Sequence, residues 1–293
     1  MTTIRLAVVS DPHLVPPGTT ATGSWHNTLE FETALPRFEL ALRQCAAGNP
    51  DAIVALGDIA NDGDVASHDV AVVRFAAAGR TAWLVPGNHD SRGPDAGLGL
   101  ENAVRRLASA TTHVPPTGGV EWRGLGIAGV GLSHEDRGYR PRLDGGLGQD
   151  VASDRLLLVL SHFPLISLEH EVKVAGWKYA GDLVGLADVA RPLLARHGPT
   201  IALHGHLHLG SSLVDSRVLQ IGCPPLIEAP FEITHLVIVT NADRAIEVSL
   251  RREQIWPTDG IASWPQLTPA RQAWRYDDHG WLALDPGDSA LRP

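Results

Sequence analysis

Residues 4–13 read Ile-Arg-Leu-Ala-Val-Val-Ser-Asp-Pro-His, an apolar run that ends abruptly in a carboxylate and an imidazole two positions apart. The same arrangement recurs along the chain. Ala52 to Leu56 leads into Gly57-Asp58, Thr81 to Val85 into Pro86-Gly87-Asn88-His89-Asp90, Leu156 to Leu160 into Ser161-His162, and Thr200 to Leu203 into a stretch ending Gly205-His206-Leu207-His208. Apolar runs without regular polar alternation read as strands buried on both faces. Helix-like segments, Ala34 to Ala47 and Val65 to Ala78, separate the first three runs. Strand, helix, strand, helix, strand is the pattern of a parallel sheet with helical crossovers. In open α/β sheets a ligand sits beyond the carboxyl ends of the strands, which is where every polar block falls. One shared site is therefore expected.

The residue types say what such a site would hold. Asp11 and His13 lie two apart on an extended segment, point the same way and can grip one ion. Asp58 has two oxygens and can bridge two ions; Asn88 offers an amide oxygen, His162 an imidazole, and His206 with His208 repeat the two-apart spacing. These seven donors exceed what one catalytic ion takes and suit two. Gly57, Gly87 and Gly205 precede donors and keep bulk away from a crowded centre, and Pro86 helps to end its strand. With no thiolate among the donors, the set favours transition metals such as Mn, Fe, Zn, Ni or Co. Two divalent or trivalent ions are expected, and the donors do not choose among these metals.

Each block alone has a plainer reading. Asp11-Pro12-His13 is an ordinary turn tripeptide, Gly87-Asn88-His89-Asp90 makes a tight turn, and a lone His162 is a hydrogen-bonded core histidine. Gly205-His206-Leu207-His208 is harder to dismiss, because two imidazoles after a buried strand are costly unless they bind something. Occurring together, in one order and at strand ends, the blocks favour the metal reading.

These five blocks, D-x-H, G-D, G-N-H-(D/E), H and G-H-x-H, resemble those of the calcineurin-like metallophosphoesterase superfamily, and all are present without substitution between residue 4 and about 250. The resemblance implies an α/β fold, a four-layer αββα sandwich of two mixed sheets flanked by helices, with the metal site at the carboxyl ends of the strands. It implies that Asp11, His13, Asp58 and His208 hold one ion and that Asp58, Asn88, His162 and His206 hold the other. His89 would be a non-ligand near the leaving group, acting as general acid or transition-state stabiliser, its ring oriented by Asp90 or a backbone carbonyl. Two cations about 3.5 to 4 Å apart lower the pKa of a bridging water and clamp phosphoryl oxygens during in-line displacement. Hydrolysis of a small-molecule phosphate ester by a metal-bridging hydroxide is the expected activity. Within the superfamily, Ser10-Asp11-Pro12-His13, the Gly-Asn-His-Asp block and the length look similar to bacterial phosphodiesterases acting on cyclic nucleotides or glycerophosphodiesters. A phosphomonoesterase acting on a phosphorylated metabolite is the main rival. A catalytically silent metal-binding scaffold is the alternative from another class, and the intact donor set argues against it.

The 293 residues suffice for one metallophosphoesterase domain over 1–250, followed by a Trp/Pro-rich extension, 251–293, packed on that domain or on a partner subunit. Ser211 to Val214, Val218 to Ile221, His235 to Thr240 and Ala245 to Leu250 are expected to build the second sheet. A net charge of −9 without a Lys/Arg cluster opposes nucleic-acid binding, whereas two bound cations would still attract a small anionic ester. No apolar stretch approaches the roughly 18 residues of a bilayer span, so no membrane partner is expected; a homo-oligomer is left open. Met1-Thr2-Thr3 running straight into a strand predicts no signal peptide, and two well-separated thiols, Cys45 and Cys223, suit a reducing cytoplasm. The Ala, Arg and Gly bias points to a bacterial source.

Four further features carry weaker readings. Leu14 to Glu30, with Trp25 and His26, either overhangs the site or stabilises its own loop. Gly176-Trp177-Lys178-Tyr179 reads as loop packing ahead of a substrate contact, and Asn61-Asp62-Gly63-Asp64 as a turn near the site rim. The remaining histidines, among them His26, His68, His113, His134 and His170, read mostly as surface or loop residues.

Overall fold

A computed structural model describes residues 1–92, 98–107, 110–135, 138–142, 146–176, 186–196, 198–241, 245–258 and 266–285. Trp177, Lys178, Tyr179 and Trp264 lie outside the described residues. The first half runs β1 (Thr2–Val9), α1 (Ala34–Ala47), β2 (Ala52–Ala55), α2 (Val65–Ala77), β3 (Thr81–Leu84), α3 (Gly99–Leu107) and β4 (Thr112–His113). Helix α2 starts where Asp64 accepts a bond from the Ser67 amide at 2.8 Å, satisfying one of the amides a helix start leaves open. After it come β5 (Val120–Trp122), β6 (Leu125–Gly129), the hairpin of β7 (Gly131–Glu135) and β8 (Gly138–Arg142), β9 (Leu157–Leu160), α4 (Glu169–Val174) and α5 (Ala187–Leu194). The last part is β10 (Thr200–His204), β11 (Ser211–Asp215), β12 (Val218–Gly222), β13 (Glu232–Thr240), β14 (Ile246–Gln254), β15 (Arg271–Asp277) and β16 (Gly280–Leu284).

One sheet has the order β16-β15-β14-β13-β1-β2-β3-β4 and the other β11-β12-β10-β9-β6-β5. Strands β1 to β4 are mutually parallel, as are β6, β9, β10 and β12, with antiparallel strands at the flanks. Val9 lies opposite Ala55 and Ala55 opposite Leu84, so the loops leaving β1, β2 and β3 start level. The expectation that His235 to Thr240 and Ala245 to Leu250 join the second sheet is corrected. β13 pairs antiparallel with β1, Leu236 facing Leu6, and β14 pairs with β13. An apolar strand fits either sheet as far as its own pattern goes; the open edge of β1 takes it.

Alternation along the strands builds the four layers. Leu6 and Val8 of β1 pack between the sheets with Ile127, Leu158 and Leu203, while Ala7 and Val9 face Phe38 of α1 and Phe75 of α2. On the far side, Leu157, Val159 and Ala202 pack against Val189 and Leu193 of α5. Helix, sheet, sheet and helix thus stack as the expected αββα sandwich. The Trp/Pro-rich stretch contributes to it: Trp274, Tyr276 and Trp281 of β15 and β16 are buried in the inter-sheet core. Among the described residues no helix is long and apolar enough to cross a membrane.

Candidate metal centre

Five loops, leaving the carboxyl ends of β1, β2, β3, β9 and β10, carry the eight residues singled out above, and the structure brings all eight together. Asp58 Oδ2 is 3.5 Å from His13 Nε2 and 3.3 Å from His162 Nε2. Asp11 Oδ1 is 3.3 Å from His208 Nε2, and Asn88 Oδ1 is 2.9 Å from His162 Nε2 and 3.1 Å from His206 Nδ1. His89 donates its amide to Asp58 Oδ1 at 2.8 Å and stands with its ring 4.5 Å from that of His13. His206 and His89 are partly exposed; the other six are buried.

The backbone is bent to allow this. Asp11, His13, Asp58, His206 and His208 all adopt positive φ, between 45° and 62°. Non-glycine residues held there cost about 1–3 kcal/mol each and persist where surrounding structure over-determines them, commonly at functional sites. The glycines make room. A methyl group at Gly87 would sit 2.2 Å from Asp58 Oδ1, and one at Gly205 would sit 2.1 Å from Ser10 Oγ and 2.6 Å from Asp11 Oδ2.

Four of the imidazoles are aimed by a hydrogen bond at Nδ1. His162 Nδ1 lies 2.7 Å from the Leu56 carbonyl, His208 Nδ1 2.7 Å from Glu228 Oε1, and His13 Nδ1 3.1 Å from Asn61 Oδ1. With Nδ1–H donating, Nε2 of all three is left as a lone-pair donor facing the centre. His89 Nδ1 is 2.6 Å from the Asn61 carbonyl oxygen, so a backbone carbonyl orients that ring. Asp90 does something else. Its carboxylate accepts from the amides of Ile59, Ala60 and Gly87 and lies 3.0 Å from His68 Nε2, lashing the Asp58 loop to the Asn88 loop. His68, read as a surface or loop residue, is fully buried in α2 because it meets this carboxylate.

Glu228 was missed, being a single acidic residue in an apolar segment without a repeated spacing. Fully buried, it accepts from Asn27 N at 2.7 Å through Oε2, besides supporting His208. Asn61, read as part of a rim turn, holds both His13 and His89. Trp25 stands at the rim, its ring centroid 6.4 Å from that of His206 and 6.2 Å from that of His208.

Charge is balanced among these groups. Burial would raise the Asp58 carboxyl, but His162, His89 and His13 hold it well below the usual carboxylate range. Burial works against protonating His162 and His208, yet Asp58 lifts the first to about 9, and Asp11 with Glu228 lifts the second to about 10. Burial pushes His13 down to about 4, and burial with His162 pushes His206 to about 3.

The donors fit cations. His13 Nε2 is buried without a hydrogen-bond partner. The sets Asp11/His13/His208, His13/Asp58/His89 and Asp58/His162/His206 each offer atoms within 4.8 Å of one another. Sharing of Asp58 between two sets is what a paired-ion centre needs. Both cysteines are free, and burial pushes their thiols up to about 12, so they supply no thiolate.

A family model described as calcineurin-like phosphoesterase matches residues 4–210. Among solved structures, a dimetal phosphatase from Danio rerio is 12% identical at a TM-score of 0.60, covering 86% of this chain and 96% of that one. The TT1561 protein of Thermus thermophilus is 13% identical at a TM-score of 0.53, covering 87% of this chain and 100% of that one. Purple acid phosphatase PPD1 from yellow lupin is 14% identical at 0.51, covering 89% of this chain and 52% of that one. At such identities these likenesses speak for the fold. No curated protein sequence matches.

Proposed function

This chain belongs to the calcineurin-like phosphoesterase family, and from that premise we propose that it hydrolyses a small-molecule phosphodiester at the cluster centred on Asp58. The family uses a dinuclear metal centre to hydrolyse phosphate esters, so the chain is a metal-dependent phosphoesterase. The observation that carries our reading is the position of Asp58 Oδ2 between the two groups of donors, 3.5 Å from His13 Nε2 and 3.3 Å from His162 Nε2. Asp11, His13, Asp58 and His208 would hold one ion, and Asp58, Asn88, His162 and His206 the other. Bound there, two such ions supply positive charge to phosphoryl oxygens and acidify water. Mn, Fe and Zn suit the imidazole, carboxylate and amide donors.

The chain's own groups do the rest. Leu56, Asn61 and Glu228 fix the ring orientations of His162, His13 and His208, so that no reorganisation is needed as charge develops. His89 is the proton carrier. Its Nδ1 is engaged by the Asn61 carbonyl, which leaves Nε2 as the atom that would pass a proton to the departing alkoxide. Phe163, its ring 4.1 Å from that of His206, helps to keep water off that imidazole. Residues 1–250 form the metallophosphoesterase domain in this proposal, and the described part of the extension joins it where β15 pairs with β14. We place the protein in the cytoplasm on its two buried, unpaired thiols.

The diester preference is supported by Ser10-Asp11-Pro12-His13 and Gly87-Asn88-His89-Asp90, which look like those of bacterial phosphodiesterases. Metal-reconstituted protein is to be assayed with bis-p-nitrophenyl phosphate beside p-nitrophenyl phosphate. A higher kcat/KM for the diester is expected; the reverse order makes the chain a phosphomonoesterase. Two bound metals with no turnover across a broad ester panel would leave only a metal-binding scaffold.

A further inference from the structure

The segment between β1 and α1 is held at several points yet leaves its largest side chain half outside. Trp25 is 45% exposed. Around it, Ser24 pairs with Thr28, the Trp25 amide reaches the Asn27 carbonyl at 3.0 Å, and the Leu29 amide reaches that of Gly23 at 3.0 Å. The segment is also tied to the candidate metal centre itself. His26 Nε2 lies 3.1 Å from the carbonyl of Leu207, between His206 and His208, and the Asn27 amide donates to Glu228, whose other oxygen supports His208. Further on, the Glu30 amide bonds the Ile227 carbonyl at 3.0 Å. Backbone and polar bonds therefore hold this segment, and burial of the indole does little of that work.

What the anchors achieve is placement. They keep a large aromatic ring with centroids 6.4 and 6.2 Å from those of His206 and His208, which come from the same loop and would serve the two different ions. The half-exposed ring therefore borders the side of the cluster that His206 and His208 form, where a substituent carried by a bound phosphoryl group could meet it. We propose that Trp25 walls a subsite for a planar aromatic ring carried by the substrate, so that this site takes nucleobase- or aryl-bearing phosphate esters in preference to alkyl ones. The inference rests on the phosphoesterase reading and narrows it, separating a nucleotide-type diester from a glycerophosphodiester.

Stacking of a base on an aromatic side chain is worth about 5- to 150-fold in affinity when the side chain is cut to alanine. Metal-loaded wild type, Trp25→Ala and Trp25→Phe are to be compared on bis-p-nitrophenyl phosphate, a cyclic nucleoside monophosphate and glycerophosphoethanolamine. For either aromatic ester, the ratio of its kcat/KM to that of glycerophosphoethanolamine should fall by about 5- to 150-fold in Trp25→Ala, through KM, and recover largely in Trp25→Phe. Melting temperatures should stay within about 2 °C of wild type, since a half-exposed ring supports little packing. An unchanged ratio, or a loss that follows a lowered melting temperature and spares no substrate, would overturn the subsite. Equilibrium binding separates this result from failure of the parent reading. Adenosine monophosphate should bind wild type more tightly than ribose 5-phosphate, with the difference lost in Trp25→Ala, even if no ester is turned over; equal binding of the two by wild type counts against the subsite.

Discussion

Replacing Glu228 by glutamine tests how far the metal centre depends on a residue that touches no ion. Glu228 Oε1 lies 2.7 Å from His208 Nδ1 and the side chain is fully buried, so the His208 ring is polarised by an unscreened negative charge. Glutamine keeps the shape and an acceptor oxygen for His208 but removes the charge, and it turns an amide NH2 toward the Asn27 N–H that Oε2 now accepts at 2.7 Å. Carboxylates that support metal-bound histidines in this way are worth about 10- to 100-fold in affinity, or roughly 1.4 to 2.7 kcal/mol. The proton adds a second effect. In metal-free protein Asp11 and Glu228 overcome burial and lift His208 to about 10, so at neutral pH a proton competes with the ion for Nε2. Glutamine weakens the ligand but also weakens that competitor. The affinity loss in Glu228→Gln should therefore be smaller at about pH 6.5 than at about pH 9, and should reach its full size only above the His208 value of about 10. Competition with a chromophoric chelator, using Mn or Zn at both pH values and with a melting curve to establish folding, measures this. A folded variant whose affinity loss is the same at both pH values, or larger at the lower one, would refute the coupling.

Asp58→Ala should leave well under one ion per chain by elemental analysis, because Asp58 belongs to two of the donor sets. His89→Ala should keep metal content near wild type while turnover falls by about 100-fold or more, loss of metal with it showing that His89 is a ligand instead. In metal-free protein the raised values of His162, about 9, and His208, about 10, mean that both carry protons at neutral pH, so loading should release about two protons. Apparent affinity should correspondingly climb as pH rises toward 10 and fall as it drops, which calorimetry in buffers of different ionisation heat can follow; loading without proton release would contradict the assignment of these pairs.

Elements with an uninterrupted local pattern could be read from the chain. Helix α1 spans the expected Ala34–Ala47, and β1, β2, β3, β9 and β10 lie within a residue or two of their apolar runs. Partner choice was harder to read. β13 and β14 are recognisable as strands, but nothing in their own residues says that they extend β1 rather than β12; the unfilled edge of β1 decides. The short β4 and β5 lack enough residues to show a period at all. For the site, the five motifs name the donors because chemistry restricts them to Asp, Asn and His. Their supports are freer: a carbonyl from Leu56, an amide from Asn61 or a carboxylate from Glu228 all serve to aim an imidazole. A function that many residue types can fill leaves little trace in one sequence, and only folding brings Glu228 to His208.

The most direct measurement is anomalous diffraction from crystals loaded with Mn or Zn, collected on both sides of the metal edge. Two peaks joined by the Asp58 carboxylate are the expected result, one contacting Asp11, His13 and His208 and the other Asn88, His162 and His206. One peak, peaks elsewhere, or none after loading at a pH where the imidazoles are neutral would contradict it.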